Sequence, residues 1–287
     1  MVYIKYIKAI NIYYIFPTIT LLNIAFILNY MIICRYSEIG LKGKNRNFFE
    51  NKLIFNIKDC LIKNNVKYDK ILKLRNRILI YTDDKCLCLK NVFGLYSISQ
   101  ATEKDLDIEE IKKTSLKYFK GSPFRITTKR LEKLLMSSQE LNIKIGSYIV
   151  EKTKAKVNLE KPKTEIFIEI FNNKAYIFNK KIYCLSGLPV STEGLVTLLL
   201  ENKQSILAGF LMLKRGCFLE IIKKKDIPYK VLEKYSYGSK INLVKTPSKK
   251  SNAVIVKDTI KDLKNYNYKI PVLRPLISYD KRWLKYI

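Results

Sequence analysis

The sequence predicts an α/β protein whose N-terminal half is α+β and whose C-terminal third is built on a parallel sheet. Three observations predict it. From residue 31 the chain reads strand–helix–strand–strand–helix–strand, the ferredoxin-like order. Residues 164–182, TEIFIEIFNNKAYIFNKKI, alternate on both sides of Asn172-Asn173, which tolerate the positive φ of a tight hairpin. The apolar run Leu195–Leu200 passes through a polar turn into a helical segment, the opening of an α/β unit with a strand buried on both faces.

The elements follow in order. Residues 1–30 form an apolar extension with no charge between Lys8 and Arg35. Its length suits a membrane anchor, but Pro17, Asn11, Thr18, Thr20 and Asn23 dilute it and it runs without a linker into MIICRY, a first strand. An extension from an upstream start and a genuine anchor both stay open. A loop with Gly40 and Gly43 then leads to a helix in which Phe49, Leu53, Ile57 and Leu61 recur every four residues. ILKLRNRILIYTDD gives two short strands, and KCLCLKNVFG a helical piece ended by Gly94. These make a ferredoxin-like domain over 31–95.

Across 96–190, YSISQAT reads as a strand, LDIEEIKKTSLKYFK as an amphipathic helix and PFRITTKR as a strand. Ser137 and Glu140 form a capping box that opens the next helix. Residues 191–287 make the third domain, entered through a linker with Gly187, Pro189 and Gly194; its polar turn is Glu201–Ser205 and its helix starts at Ile206.

Composition narrows the chemistry. Lys and Arg number 54 against 25 Asp and Glu, a net charge of +29, which favours a polyphosphate partner over an anionic membrane; a basic bias of the whole proteome is the plain alternative. The chain has no histidine, so histidine acid–base catalysis and histidine metal sites are excluded. Its six cysteines contain no C-x-x-C pair, which speaks against a zinc ribbon and suits a reducing cytoplasm. Two cationic groups stand out. Arg35, Lys42, Lys44 and Arg46 cluster at the first strand–helix junction, as a phosphate-contacting loop or a solvated turn. Arg125, Lys129, Arg130 and Lys144 stand on a strand and the following helix start, where they could face one groove.

RYSEIGLKGKNRNFFE resembles the opening of the tRNA 4-thiouridine synthetases, sixteen residues with hardly a break. The strings VFGLYSIS, FRITTKR, SSQELNIKIGSYI, KVNLEKP and KAYIFNKKIYCLSGLPVSTEG resemble the family's THUMP domain, and PVLRPLISYDKRWLKYI its C-terminal motif. The resemblance implies binding of a tRNA acceptor end by the first two domains. It also implies a third domain that is adenine-nucleotide-hydrolase-like, shortened here, with ATP-dependent adenylation of a uridine followed by persulfide attack. LAGFLMLKRG is similar to the helix after the family's pyrophosphate loop S-G-G-x-D-S. That similarity places Leu200, Glu201, Asn202, Lys203, Gln204 and Ser205 on the loop, of which only Ser205 is retained.

The loop predicts lost chemistry. A phosphate cradle needs bare backbone N–H groups and glycines. Glu201 places a like charge there, worth about 4 kcal/mol of repulsion at ~4 Å and an effective dielectric of roughly 20. Cys217 reads as core rather than as a persulfide carrier, and no cysteine follows it. The sequence therefore predicts a tRNA-binding member of the family with no catalytic residue of its own, no metal and no firm cofactor. An active sulfurtransferase with a rearranged, ATP-binding loop is the alternative. A separate catalytic or sulfur-donor subunit and a homodimer are the expected partners besides tRNA. A THUMP-bearing methyltransferase would need a glycine-rich cofactor turn, and none is present.

Overall fold

The computed structural model describes residues 30–132 and 136–278; the expectation for the apolar extension lies outside them. The first strand, β1 (Tyr30–Arg35), is antiparallel to β3 (Arg77–Tyr81), which pairs with β2 (Lys70–Leu74). Helix α1 (Arg46–Lys63) covers one face of this sheet. Its Phe49, Leu53, Ile57 and Leu61 are buried against Ile32, Cys34, Ile78 and Ile80, as the four-residue spacing predicts. The expected second helical piece is a short 3-10 turn, Leu87–Asn91, with Gly94 beyond it at φ +99.

β4 (Ser97–Lys104) serves both of the first two domains. One edge pairs with β1 over Ser97–Thr102. Its other edge takes β8 (Ile182–Tyr183) at Ser97–Ile98 and β7 (Lys174–Phe178) at Thr102–Lys104. The second domain continues with α2 (Ile108–Tyr118), β5 (Phe124–Arg130), α3 (Ser138–Thr153) and β6 (Thr164–Phe171). The result is one eight-stranded sheet, β2-β3-β1-β4-β7-β6-β5 with β8 on β4, shared by both domains. Helices α2 and α3 bury Ile111, Leu141, Ile145 and Ile149 against Phe124, Ile126, Ile166, Ile168 and Ile170. Asn172 and Asn173 sit at φ 54 and 55, and Ser137 and Glu140 make the reciprocal cap.

The faces turned away from the helices meet each other. Met31, Ile33, Leu79 and Ala101 of the first half pack with Phe171, Tyr176 and Phe178 of the second. Within this contact Glu169 of β6 accepts from Arg35 Nε at 2.9 Å and from Arg77 at 3.0 Å, and Arg35 Nη1 donates to Ser99 Oγ at 3.0 Å. The Arg35 and Glu169 side chains are 7% and 4% exposed.

The third domain is a five-stranded sheet. Its strands are β9 (Leu195–Leu200), β10 (Phe218–Lys223), β11 (Asn242–Leu243), β12 (Ser251–Ile255) and β13 (Val272–Leu273). Every pair is parallel and the order is β11-β10-β9-β12-β13. This is a doubly wound order with its switch point between β9 and β12. Helices α4 (Lys203–Lys214) and α5 (Lys230–Glu233) cover one face, over Leu198, Leu200, Leu219 and Ile221. Irregular chain carrying Tyr266, Tyr268 and Ile270 covers the other. Among the described residues no helix is long and apolar enough to cross a membrane.

Burial by itself would raise the Glu169 pKa, but the charges and hydrogen bonds of Arg35 and Arg77 outweigh it and hold the carboxyl below its usual range. A depressed folded pKa stabilises the fold above the unfolded carboxylate range, and that stability is lost as pH falls through the folded value. Glu169→Ala leaves two buried guanidinium groups without their counter-charge. It is expected to cost about 3–5 kcal/mol in urea unfolding at neutral pH, with the gap to wild type narrowing in acid.

Candidate nucleotide and RNA sites

In an open parallel sheet a ligand sits beyond the carboxyl ends of the strands at the switch point, here just past Leu200 and Ile255. The stretch placed on the family's phosphate loop is mostly strand end and helix start. Leu200 is the last residue of β9 and is fully buried under α4. The helix begins at Lys203, three residues before the expected Ile206, because Asn202 caps it. Only Glu201 and Asn202 are left as loop.

The donors of that loop are already engaged. Ser205 is fully buried, and its hydroxyl accepts from Glu201 N at 3.1 Å and from Asn202 N at 3.4 Å. Ser205 N donates to Asn202 Oδ1 at 3.2 Å, which closes a reciprocal cap. Lys203 and Gln204 are exposed on the first turn. Glu201 Oε2 is shielded from solvent and has no hydrogen-bond partner.

The opposite wall of the crevice is occupied by protein. Asp258, with 0% exposure, follows β12 and accepts from Lys264 N at 3.0 Å and from the Tyr266 hydroxyl at 2.8 Å. Arg274, just after β13, lies 3.6 Å from the same carboxylate and donates to Lys264 O at 2.8 Å. Burial first, then the hydrogen bond and charge of Asp258 and the charge of Glu201, raise the Tyr266 phenol well above its ordinary value. Sequence reasoning missed Asp258 and Tyr266, which belong to no motif. Arg274 does lie in the recognised C-terminal string.

A triphosphate asks for free N–H groups, no side-chain bulk and net positive charge. This crevice offers self-satisfied N–H groups, a tyrosine and two carboxylates, of which Asp258 has Arg274 beside it and Glu201 Oε2 has no hydrogen-bond partner, so its residues do not fit ATP. Burial first, then the charge of Glu193, raises Cys217 to about 11, and its thiol lies in the core of the third domain. Of the other thiols Cys88 alone is lowered, first by a hydrogen bond from Cys60, and it stands under α1 in the first domain.

The eight basic residues do not gather as two patches. Arg35 is buried in the Glu169 clasp, on the sheet face away from α1, so it is no surface phosphate contact. Arg46 is held by Glu50 at 2.7 Å, Tyr36 Oη at 2.8 Å and Asn76 at 2.8 Å. Lys42 lies over the Phe49 ring and 3.4 Å from Glu193 of the linker, so it ties domains together. Lys44 is exposed.

The second set splits because side chains alternate along a strand. Arg125 and Lys129 share the face with Thr127 and Glu165; Arg125 pairs with Glu165 at 2.6 Å. Arg130 turns to the other face, donating to Met136 O at 2.6 Å and to Ser138 Oγ at 3.2 Å. Lys144, on α3, approaches Met136 Sδ at 3.4 Å. One groove is thus replaced by two pairs on opposite faces.

Asn202→Ala removes the acceptor of the α4 cap and is expected to cost about 1 kcal/mol in thermal unfolding. The same change in a true phosphate loop would act on ligand affinity, so nucleotide-independent loss of stability identifies the cap.

Comparison with known proteins agrees with this architecture. The ThiI ferredoxin-like domain matches residues 31–99 and the THUMP domain residues 105–179. A probable tRNA sulfurtransferase of Thermococcus kodakarensis is 35% identical, over 75% of this chain and 62% of its own length. Another from Caldanaerobacter subterraneus is 29% identical over 88% of this chain and 83% of its own. The chain thus spans less than two thirds of the Thermococcus relative. The crystal structure of PH1313 from Pyrococcus horikoshii superposes with a TM-score of 0.79 at 33% identity, covering 89% of this chain and 97% of that one. A 4-thiouridine synthetase–RNA complex with bound ATP gives 0.74 at 25% identity, covering 90% and 84%. With both N-terminal domains matched in order and a like-folded third domain behind them, the chain belongs to the tRNA 4-thiouridine synthetase (tRNA sulfurtransferase) family.

Proposed function

We propose that this protein binds tRNA in the cytoplasm and acts in tRNA thiolation as a recognition subunit, its own ATP-dependent chemistry lost. The observation that carries the second half is the closed hydrogen-bond ring of Glu201, Asn202 and Ser205. Backbone N–H groups that would hold a pyrophosphate serve a helix cap instead. The Glu201 carboxylate and the Asp258–Tyr266 pair add negative charge and bulk at the same end of the sheet. Opening the ring to admit a nucleotide would forfeit the cap and leave Ser205 buried without its partners, a cost of about 1–3 kcal/mol before any ligand contact.

The first half rests on the paired ferredoxin-like and THUMP domains, the excess of cations and the RNA-bound relative. RNA helices present phosphates and 2′-hydroxyls rather than a readable major groove, so charge and shape dominate such binding. A separate subunit would then supply the nucleotide site and the sulfur.

Two measurements test the reading. Calorimetry with ATP and magnesium is expected to give no heat of binding at millimolar nucleotide. The same protein is expected to bind tRNA with an affinity that falls steeply with salt, by several units in a log–log plot. Formation of 4-thiouridine by the purified chain with ATP and sulfide would overturn the loss of catalysis and leave tRNA binding standing.

A further inference from the structure

The folded sheet leaves an uncompensated charge at the mouth between its two halves. Lys181 follows β7 and precedes β8, whose Ile182 pairs with Ile98 of β4. Its Nζ lies 4.0 Å from the centre of the Phe167 ring and 5.9 Å from that of Phe178. Those rings are stacked on each other, 5.2 Å apart. The Arg35 guanidinium rests on the same Phe178 ring at 4.9 Å.

Five cations meet two carboxylates here. Glu169 is taken by Arg35 and Arg77, and Glu165 by Arg125. Lys181 forms no ion pair among the described residues, and Lys129 on β5 is exposed. Arg35 Nη2 is buried without a hydrogen-bond partner. Burial first, then the charges of Arg35 and Lys129, lower the Lys181 pKa, while Glu169 and Glu165 raise it. A half-buried ammonium held on two rings, facing further cations, is stabilised by an incoming anion more than an ordinary surface lysine would be.

We propose that Lys181, seated on Phe167 and Phe178, acts with Lys129 to hold backbone phosphates of RNA at the mouth between the ferredoxin-like and THUMP domains. Lys129 shares its face of β5 with Thr127, whose partner on β6 is Phe167, the ring beneath Lys181, so both ammonium groups serve one face of the sheet. Two cations on one face suit successive groups of an extended polyanion better than one small ion. Arg35 is too deep to touch the ligand and contributes its field from below. The proposal rests on the tRNA-binding reading and places that contact on the sheet face, away from α2 and α3.

The test is tRNA binding measured against salt for the full chain, its Lys181→Ala and its Lys181→Arg forms. Lys181→Ala is expected to weaken binding roughly tenfold at 0.1 M salt and to reduce the log–log slope by about one unit. Lys181→Arg is expected to restore most of both. Acetylation of wild-type lysines, read by mass spectrometry, serves as a check that needs no variant: tRNA is expected to protect Lys181 and Lys129. Wild-type protein that fails to bind tRNA would overturn the functional reading along with this site. Wild-type binding with Lys181→Ala unchanged in affinity and slope, or no protection by bound tRNA, would overturn this site alone. Protection by inorganic pyrophosphate and not by tRNA would assign the site to a free anion and overturn the RNA contact.

Discussion

The carboxylate of Glu169, closed between Arg35 and Arg77 with almost no exposure, is the contact on which the N-terminal architecture turns. It joins β6 of one domain to β1 and β3 of the other across a layer of aliphatic and aromatic side chains. Removing such groups from water is costly, and only good geometry on every side recovers it. The clasp therefore adds specificity to an apolar contact that could otherwise slide. It ties the ferredoxin-like and THUMP domains together across that layer.

A second set of polar contacts seats the third domain on α1. Asn56 Nδ2 donates to Val190 O at 3.1 Å, Gly238 N donates to Asp59 Oδ2 at 2.7 Å, and Asn64 Nδ2 donates to the Tyr237 hydroxyl at 3.2 Å. Gly238 stands at φ +78, and a Cβ there would meet Asn56 Oδ1 at 1.8 Å, so the close approach requires glycine. Gly187 is held in the same way at φ +82, against Lys214 O, where the linker crosses the end of α4. These contacts seat the parallel sheet independently of the crevice at its switch point. The contacts that hold the third domain lie away from the crevice: on α1, on the linker and in the buried Thr197–Glu220–Ser251 network.

Much of the organisation was legible in the residues. Period-four apolar positions in α1, the Ser137/Glu140 box and the Asn172-Asn173 turn are local signals, and each formed where its chemistry points. The absence of glycine from residues 200–205 and the acid at Glu201 were equally legible, since they need no coordinates. The start of α4 was not, because Asn202 reads as a loop residue until Ser205 is seen to answer it. The basic groups also escaped, for two different reasons. A charged residue next to a glycine-rich loop gives no sign that its side chain points into a sheet, as Arg35 does. Strand alternation then separates neighbours such as Lys129 and Arg130 that composition lumps together.

By itself the sequence determined most element types, the three-domain order, the family and the lack of glycine in residues 200–205, because these are set by local backbone preference and by which residues are present. Only the tertiary structure decided that the first two domains share one sheet folded on Glu169, that Asn202 and Ser205 cap α4, and that Lys181 sits on the Phe167 ring with no ion pair among the described residues. Those outcomes depend on residues far apart in the chain, such as Arg35 and Glu169 or Lys181 and Phe167, and no one-dimensional pattern records their approach.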